Sequence, residues 1–202
     1  MADRRIVTAV TGASGALYAV RFLRACLSLG MRVDLVVSEY GHRLLIEECG
    51  LNLKVESVEG WLERRYGPVP RGTGSITRHG EHELGASIAS GSQGWDAMVV
   101  VPCSMKTLSG IAHGAASNLI ERAADVTLKE RRPLILVPRE TPLNLVQIES
   151  LRIAATAGAA IVPAMPAFYQ KPQSLEDLAD FIAGRVLSLL RIEHRLFPAW
   201  EG

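Results

Sequence analysis

A chain of 202 residues fits one domain, on a prior of about 150 residues per domain, and excludes a modular receptor or a repeat scaffold. With 48% hydrophobic and 21% charged residues it can bury a sizeable core, which excludes general disorder. Its 22 Lys and Arg against 21 Asp and Glu leave a net charge of +1, which removes the broad electrostatic case for a nucleic acid or an anionic membrane as partner.

In chain order, Ile6 to Val10 is a short β-branched apolar run. Thr11-Gly12-Ala13-Ser14-Gly15 breaks it, and Leu17, Val20, Leu23 and Leu27 then recur at helical spacing, so the start reads strand, glycine loop, helix. Val33 to Val37 is a second strand ending at Ser38, followed by a helical pattern through Leu44, Leu45 and Glu48. Trp61 to Ser92, rich in Gly, Ser, Pro and charge, shows no sustained period and reads as an excursion from the core.

Ala97 to Val101 is a continuous apolar run, as a strand covered on both faces requires, and it ends at Pro102-Cys103-Ser104. A helix over Asn118 to Glu130, a strand over Leu134 to Val137, a helix over Leu145 to Ala157 and a short strand over Ala160 to Val162 follow. Ser174 caps the last helix with Asp177 three residues on, and Leu175, Leu178, Phe181, Ile182, Val186 and Leu189 form its apolar stripe. Alternating strands and helices predict an α/β fold, a Rossmann-like three-layer sandwich with a parallel sheet and helices on both faces. One domain over residues 1–202 is expected, its tail from about 192 packing at a subunit interface.

Cys26, Cys49 and Cys103 are odd in number and lack CxxC spacing, so neither a disulfide framework nor a zinc site is suggested, and a reducing cytosol fits. Arg4-Arg5 before Ile6 imitates a secretion signal, but Thr11-Gly12 cuts the apolar run short. Ile153 to Phe168 is too short and too broken by Ala, Gly and Pro to span a bilayer. A cytoplasmic chain without membrane segment or bound metal is the expectation.

Ligands of an open parallel sheet bind outside the carboxyl ends of its strands. Those ends carry Thr11 to Gly15, Ser38-Glu39, Pro102 to Thr107, Pro138-Arg139-Glu140 and Pro163 to Tyr169. The first loop is either a tight turn or an anion cradle at a helix N-terminus, for which phosphate is the natural guest. Its spacing matches neither a dinucleotide fingerprint nor a P-loop, although Glu39 keeps a ribose contact open. Ser104-Met105-Lys106-Thr107 opens a helix after the best strand, and two such loops on neighbouring strands describe a phosphorylated, mononucleotide-like ligand. Arg122, Lys129, Arg139 and Arg185 read singly as solvated cations, Glu140 as a surface pair with Arg139 or an acid and base, and His79, His82 and His113 as loop or packing histidines.

Ala89-Ser90-Gly91-Ser92, Pro102 to Leu108, Asn118 to Val126, Leu128 to Leu134, Val137-Pro138-Arg139-Glu140-Thr141-Pro142 and Phe168-Tyr169 occur in order with the first glycine loop. Through these motifs the chain resembles the UbiX-type flavin prenyltransferases over nearly its whole length. The resemblance implies transfer of a dimethylallyl group from dimethylallyl phosphate to N5 and C6 of reduced FMN, giving prenylated FMN for UbiD-type decarboxylases without a metal. It also implies a homo-oligomer, commonly a dodecamer, with sites completed by adjacent subunits.

By matching position, the resemblance assigns Gly12, Ala13, Ser14, Ser38, Ser104, Met105, Lys106, Thr107, Arg122 and Arg139 to FMN. It assigns Lys129, Arg139, Tyr169 and Arg185 to the prenyl phosphate, whose charge grows as the allylic C–O bond breaks. Glu140 and Ser14 are candidates for proton handling, Glu48 for a supporting carboxylate, and Trp200 for a π face near the allyl cation or a tail anchor. Leu84 stands where some relatives place an aromatic beside the flavin. A cysteine-type flavin decarboxylase is the rival, against which Pro163-Ala164-Met165-Pro166 puts proline where that group's P-x-M-N has asparagine. A non-catalytic FMN carrier, which needs the FMN loops alone, is the second rival.

Overall fold

The computed structural model describes residues 4–69 and 74–197. Its strands are β1 (Arg5–Val10), β2 (Arg32–Val37), β3 (Ser75–His79), β4 (Ala97–Cys103), β5 (Leu134–Pro138) and β6 (Ala160–Ile161). They form one sheet in the order β3-β2-β1-β4-β5-β6, and every pairing is parallel. The chain order reverses between β1 and β4, so a crevice opens there at the carboxyl ends, the place where doubly wound sheets bind ligands.

The helices are α1 (Ala16–Ser28), α2 (Glu39–Cys49), α3 (Val58–Tyr66), α4 (Met105–Ala112), α5 (Leu119–Lys129), α6 (Leu145–Thr156) and α7 (Leu175–Leu189). Successive strand residues point to opposite faces, and the core divides accordingly. Ile6, Val33, Leu35, Val99 and Ile135 pack with α1, α3 and α7, whereas Val7, Val36, Met98, Val100 and Leu136 pack with α4 and α5. The expected three layers are present. β4 is buried at every residue, as its unbroken apolar run requires.

Short polar side chains start the helices. Ser38, Ser57, Ser104 and Asn118 each accept from the backbone N–H three residues on, and Asn144 with Gln147 closes a capping box. The expected pair at α7 does the same, with Asp177 N donating to Ser174 Oγ at 3.1 Å and Ser174 N donating to the Asp177 carboxylate at 3.0 Å.

Two expectations change. The excursion over 61–92 holds the end of α3, the edge strand β3 and a 3-10 turn at Ser87–Ala89. β3 has one neighbour and no fully buried residue, so its sequence carries no apolar run to announce it. His79 is also more than a packing residue: its Nε2 lies 2.8 Å from the buried Asp34 carboxylate, which Arg5 also holds at 2.7 Å. Among the described residues, no helix is long and apolar enough to cross a membrane.

Candidate functional site

The tips of β1 and β4 are tied together by one hydroxyl. Thr11 Oγ1 donates to the Pro102 carbonyl at 2.9 Å and accepts from Ser104 N at 2.7 Å, and Thr11 is buried. This threonine fixes the spacing of the two loops across the crevice, a role its sequence position did not reveal. Gly12 is required by close approach, because a Cβ there would lie 2.5 Å from Tyr40 Cβ on α2. Gly15 has φ 115°, in the region that favours glycine, and starts α1 without a side-chain cap of its own.

The anion expected at that helix end is the chain's own. Glu48, at the far end of α2, accepts from Gly15 N at 2.8 Å and Ala16 N at 2.7 Å, satisfying two orphan donors and complementing the helix dipole. The amide of Glu39, the first of α2, is likewise taken by the Glu81 carboxylate at 2.9 Å. A ligand phosphate therefore meets a loop whose opening amides are already partly committed. Ser14 and Glu48 share a cavity of about 400 Å³ with Tyr18, Trp61, Arg65 and Tyr66 on its walls. Burial and the neighbouring Glu48 charge push the Cys49 thiol there up to about 11, so it stays protonated at neutral pH.

On the other side of the crevice, Ser104 caps α4 by accepting from Thr107 N at 3.2 Å, and its hydroxyl also meets Thr107 Oγ1 at 3.1 Å. Met105 and Thr107 are buried and Lys106 is exposed, so this turn offers a hydroxyl, an ammonium and helix-end amides on one rim. Arg139 leaves the tip of β5 and donates from Nε to the Ser14 carbonyl at 3.0 Å. Burial lifts the Tyr18 phenol above its usual range and the Arg139 charge opposes this, as expected of near neighbours. Glu140 is exposed, and its carboxylate accepts from Thr141 N at 3.1 Å.

Gly12, Ala13, Ser14, Ser38, Ser104 to Thr107, Arg139 and Glu140 thus come from the carboxyl ends of β1, β2, β4 and β5. The other assigned residues lie elsewhere. Tyr169 packs edge-on against Phe181, ring centroids 6.1 Å apart, and with Arg185 it lines a groove of about 860 Å³ beside α7. Arg122 Nε donates to the Ala89 carbonyl at 3.1 Å, and its Nη1 donates to the Asp125 carboxylate at 2.9 Å. Lys129 ends α5, which leads into the start of β5, so it sits at the amino-terminal end of the sheet, away from the crevice of its own chain. Leu84 is exposed. Trp200 lies outside the described residues.

The crevice at the β1/β4 reversal is the frame of a mononucleotide-binding flavoprotein, and the family model described as Flavoprotein matches residues 1–187. The flavin prenyltransferase UbiX of Halalkalibacterium halodurans is 44% identical over 191 residues, covering 95% of this chain and 90% of the relative. The chain belongs to the UbiX flavin prenyltransferase family. The crystal structure of AnUbiX (PadA1) in complex with FMN and dimethylallyl pyrophosphate superposes with a TM-score of 0.87 at 38% identity, covering 99% of this chain and 98% of that one. A dodecameric FMN-dependent UbiX-like decarboxylase from Escherichia coli O157:H7 superposes with a TM-score of 0.86 at 35% identity, covering 98% of this chain and 100% of that one. The shared length includes both the UbiX strand-tip loops and the segment that carries Tyr169 and Arg185.

Proposed function

We propose that this chain transfers a dimethylallyl group from dimethylallyl monophosphate or diphosphate to N5 and C6 of reduced FMN, releasing phosphate or diphosphate and prenylated FMN. The observation that carries this reading is the union of β1, β4 and β5 tips by Thr11, Ser104 and Arg139 in a chain of the UbiX family along nearly its full length. The donor set fits FMN: the hydroxyls of Ser14, Ser38 and Ser104 and the Lys106 ammonium suit a ribityl phosphate, and the buried Met105 gives the rim an apolar side for a ring system. Reduced flavin supplies the nucleophilic nitrogen and ring carbon.

The chain's own residues then have distinct tasks. Arg139 holds the Ser14 carbonyl and so orients the first loop; Glu140 and the Ser14 hydroxyl stand at the crevice as proton carriers, with Glu48 fixing the loop from below. Tyr169 and Arg185 donate to the phosphate as its bond to the allylic carbon breaks, where fixed donors count most. Lys129 serves the same end from an adjacent subunit, a division supported by its position at the far end of its own sheet, and Arg122 belongs with the groups that hold FMN. A homo-oligomer of this chain, on the scale of the dodecameric Escherichia coli relative, provides such neighbours. The product passes to a UbiD-type decarboxylase in the cytoplasm.

Anaerobic incubation with reduced FMN and either dimethylallyl phosphate, followed by mass analysis of the flavin, tests the reading. A flavin heavier by one isoprenoid unit supports it; unchanged FMN with both donors refutes it.

A further inference from the structure

Glycine is the poorest helix former after proline, yet Gly184 stands inside α7 and is buried. Its backbone is helical, so no turn asks for it. The reason lies on the surface of the helix. A Cβ at Gly184 would stand 2.7 Å from His194 Cε1 and 2.9 Å from Phe197 Cδ1, with Phe197 Cε1 nearer still. Neither neighbour can retreat freely. His194 Nε2 is 2.9 Å from Ser188 Oγ, and the Phe197 ring rests on Phe181 with centroids 5.1 Å apart and on the His194 ring at the same distance.

Phe181, Gly184, Arg185 and Ser188 follow the i, i+3, i+4, i+7 spacing and share one face of α7. The strap over 192–197 lies along this face. Phe181, under Phe197, is the same ring that Tyr169 packs against edge-on. The groove that contains Tyr169 and Arg185 is also lined by His194, Arg195 and Phe197. The strap is therefore a wall of that groove, and the notch at Gly184 decides whether the wall seats.

We propose that Gly184 is a positioning residue for the prenyl phosphate: the space left by its missing side chain seats His194 and Phe197, and the seated strap fixes Tyr169 through Phe181 and closes the groove beside Arg185. The proposal rests on the functional reading above and adds a residue that touches no ligand. Alanine at 184 favours the helix more than glycine does, so a loss caused by this substitution separates docking from folding.

The full chain with Gly184→Ala, Phe197→Ala and both changes is compared with wild type by timed trypsin digestion, reading cleavage after Arg195, and by steady-state kinetics with dimethylallyl monophosphate. Each single change should speed cleavage about tenfold through local opening of the strap. The double variant should be no faster than the faster single, because both changes break one docking event. KM for the prenyl phosphate should rise several-fold, while FMN affinity holds and the Gly184→Ala melting temperature does not fall. Cleavage at the wild-type rate in Gly184→Ala, effects that multiply in the double, or a freed strap with unchanged KM would each overturn the proposal. A wild-type chain with a protected strap but no prenyl transfer from either the monophosphate or the diphosphate would overturn the functional reading and the link to phosphate, leaving the notch visible in the digest.

Discussion

Arg139 Nε donates to the Ser14 carbonyl across 125 residues of sequence, at 3.0 Å, and so locks the tip of β5 onto the loop that opens α1. The bond spends the guanidinium's geometry on the backbone while leaving its charge at the crevice. Arg139→Ala should weaken FMN binding by roughly tenfold to a hundredfold, the scale of a lost hydrogen bond to a charged group. Arg139→Lys should recover part of the loss, since the charge returns without the Nε donor. Fluorescence titration of FMN into each variant reads both.

Thr11 is nearly isosteric with valine, so Thr11→Val keeps the packing and removes only the hydroxyl. The Pro102 carbonyl loses one donor and Ser104 N loses its acceptor at a part-buried position, at a cost of about 1–3 kcal/mol. Urea denaturation should show a lower midpoint with the slope unchanged, together with weaker FMN binding as the two loops drift apart. Stability equal to wild type would deny the tie its role.

Glu48→Ala removes the carboxylate that serves Gly15 N and Ala16 N. Loss of such a cap costs about 1 kcal/mol, which in a domain of this size lowers the melting temperature by about 2–4 °C. Glu48→Gln keeps an acceptor and loses the charge, so its melting temperature should fall between the two. A thermal melt of the three proteins in low salt shows the order.

Asp34 gives the pH dependence of stability. Burial opposes its ionisation, yet hydrogen bonds from Arg5 and His79 hold the carboxyl below its ordinary range. A carboxyl whose native value is depressed stabilises the fold fully above the unfolded value of about 4, and the contribution disappears as pH falls through the lower native value. Wild type should therefore lose stability on acidification below about pH 4 through this group. Asp34→Asn should flatten that part of the profile and cost about 3 kcal/mol at neutral pH, because Arg5 and His79 lose a buried partner. Chemical denaturation from pH 3 to 7 follows both effects, on about the scale set by one titrating carboxyl.

The sheet and its crevice were legible in the sequence because β1, β2, β4 and β5 are covered on both faces and must be written as apolar runs. β3 was not, since an edge strand with exposed alternate residues carries no such signature, and α3 was merged into the same irregular stretch. At the site, Ser38 and Ser104 stood where caps are expected, directly before a helix. Glu48 and Thr11 were harder to read because each acts on partners 32 to 93 residues away, and no local spacing encodes that contact. Lys129 shows the converse: its place in a motif was clear, but the direction of α5 carries it to the wrong end of its own sheet for the crevice. Gly184 had a signal, a glycine inside a strong helical stripe, whose meaning depended on the strap that follows.

In the proposed division of labour, strand tips hold the flavin while Tyr169 and Arg185 act on the leaving phosphate, so the two functions should separate by substitution. Anaerobic single-turnover conversion of reduced FMN with dimethylallyl monophosphate, in Tyr169→Phe and Arg185→Ala beside wild type, measures this directly. FMN affinity should stay near wild type while formation of the prenylated flavin slows by about 10²-fold or more. Conversion at the wild-type rate in either variant, or a loss of FMN affinity that accounts for the whole effect, would contradict it.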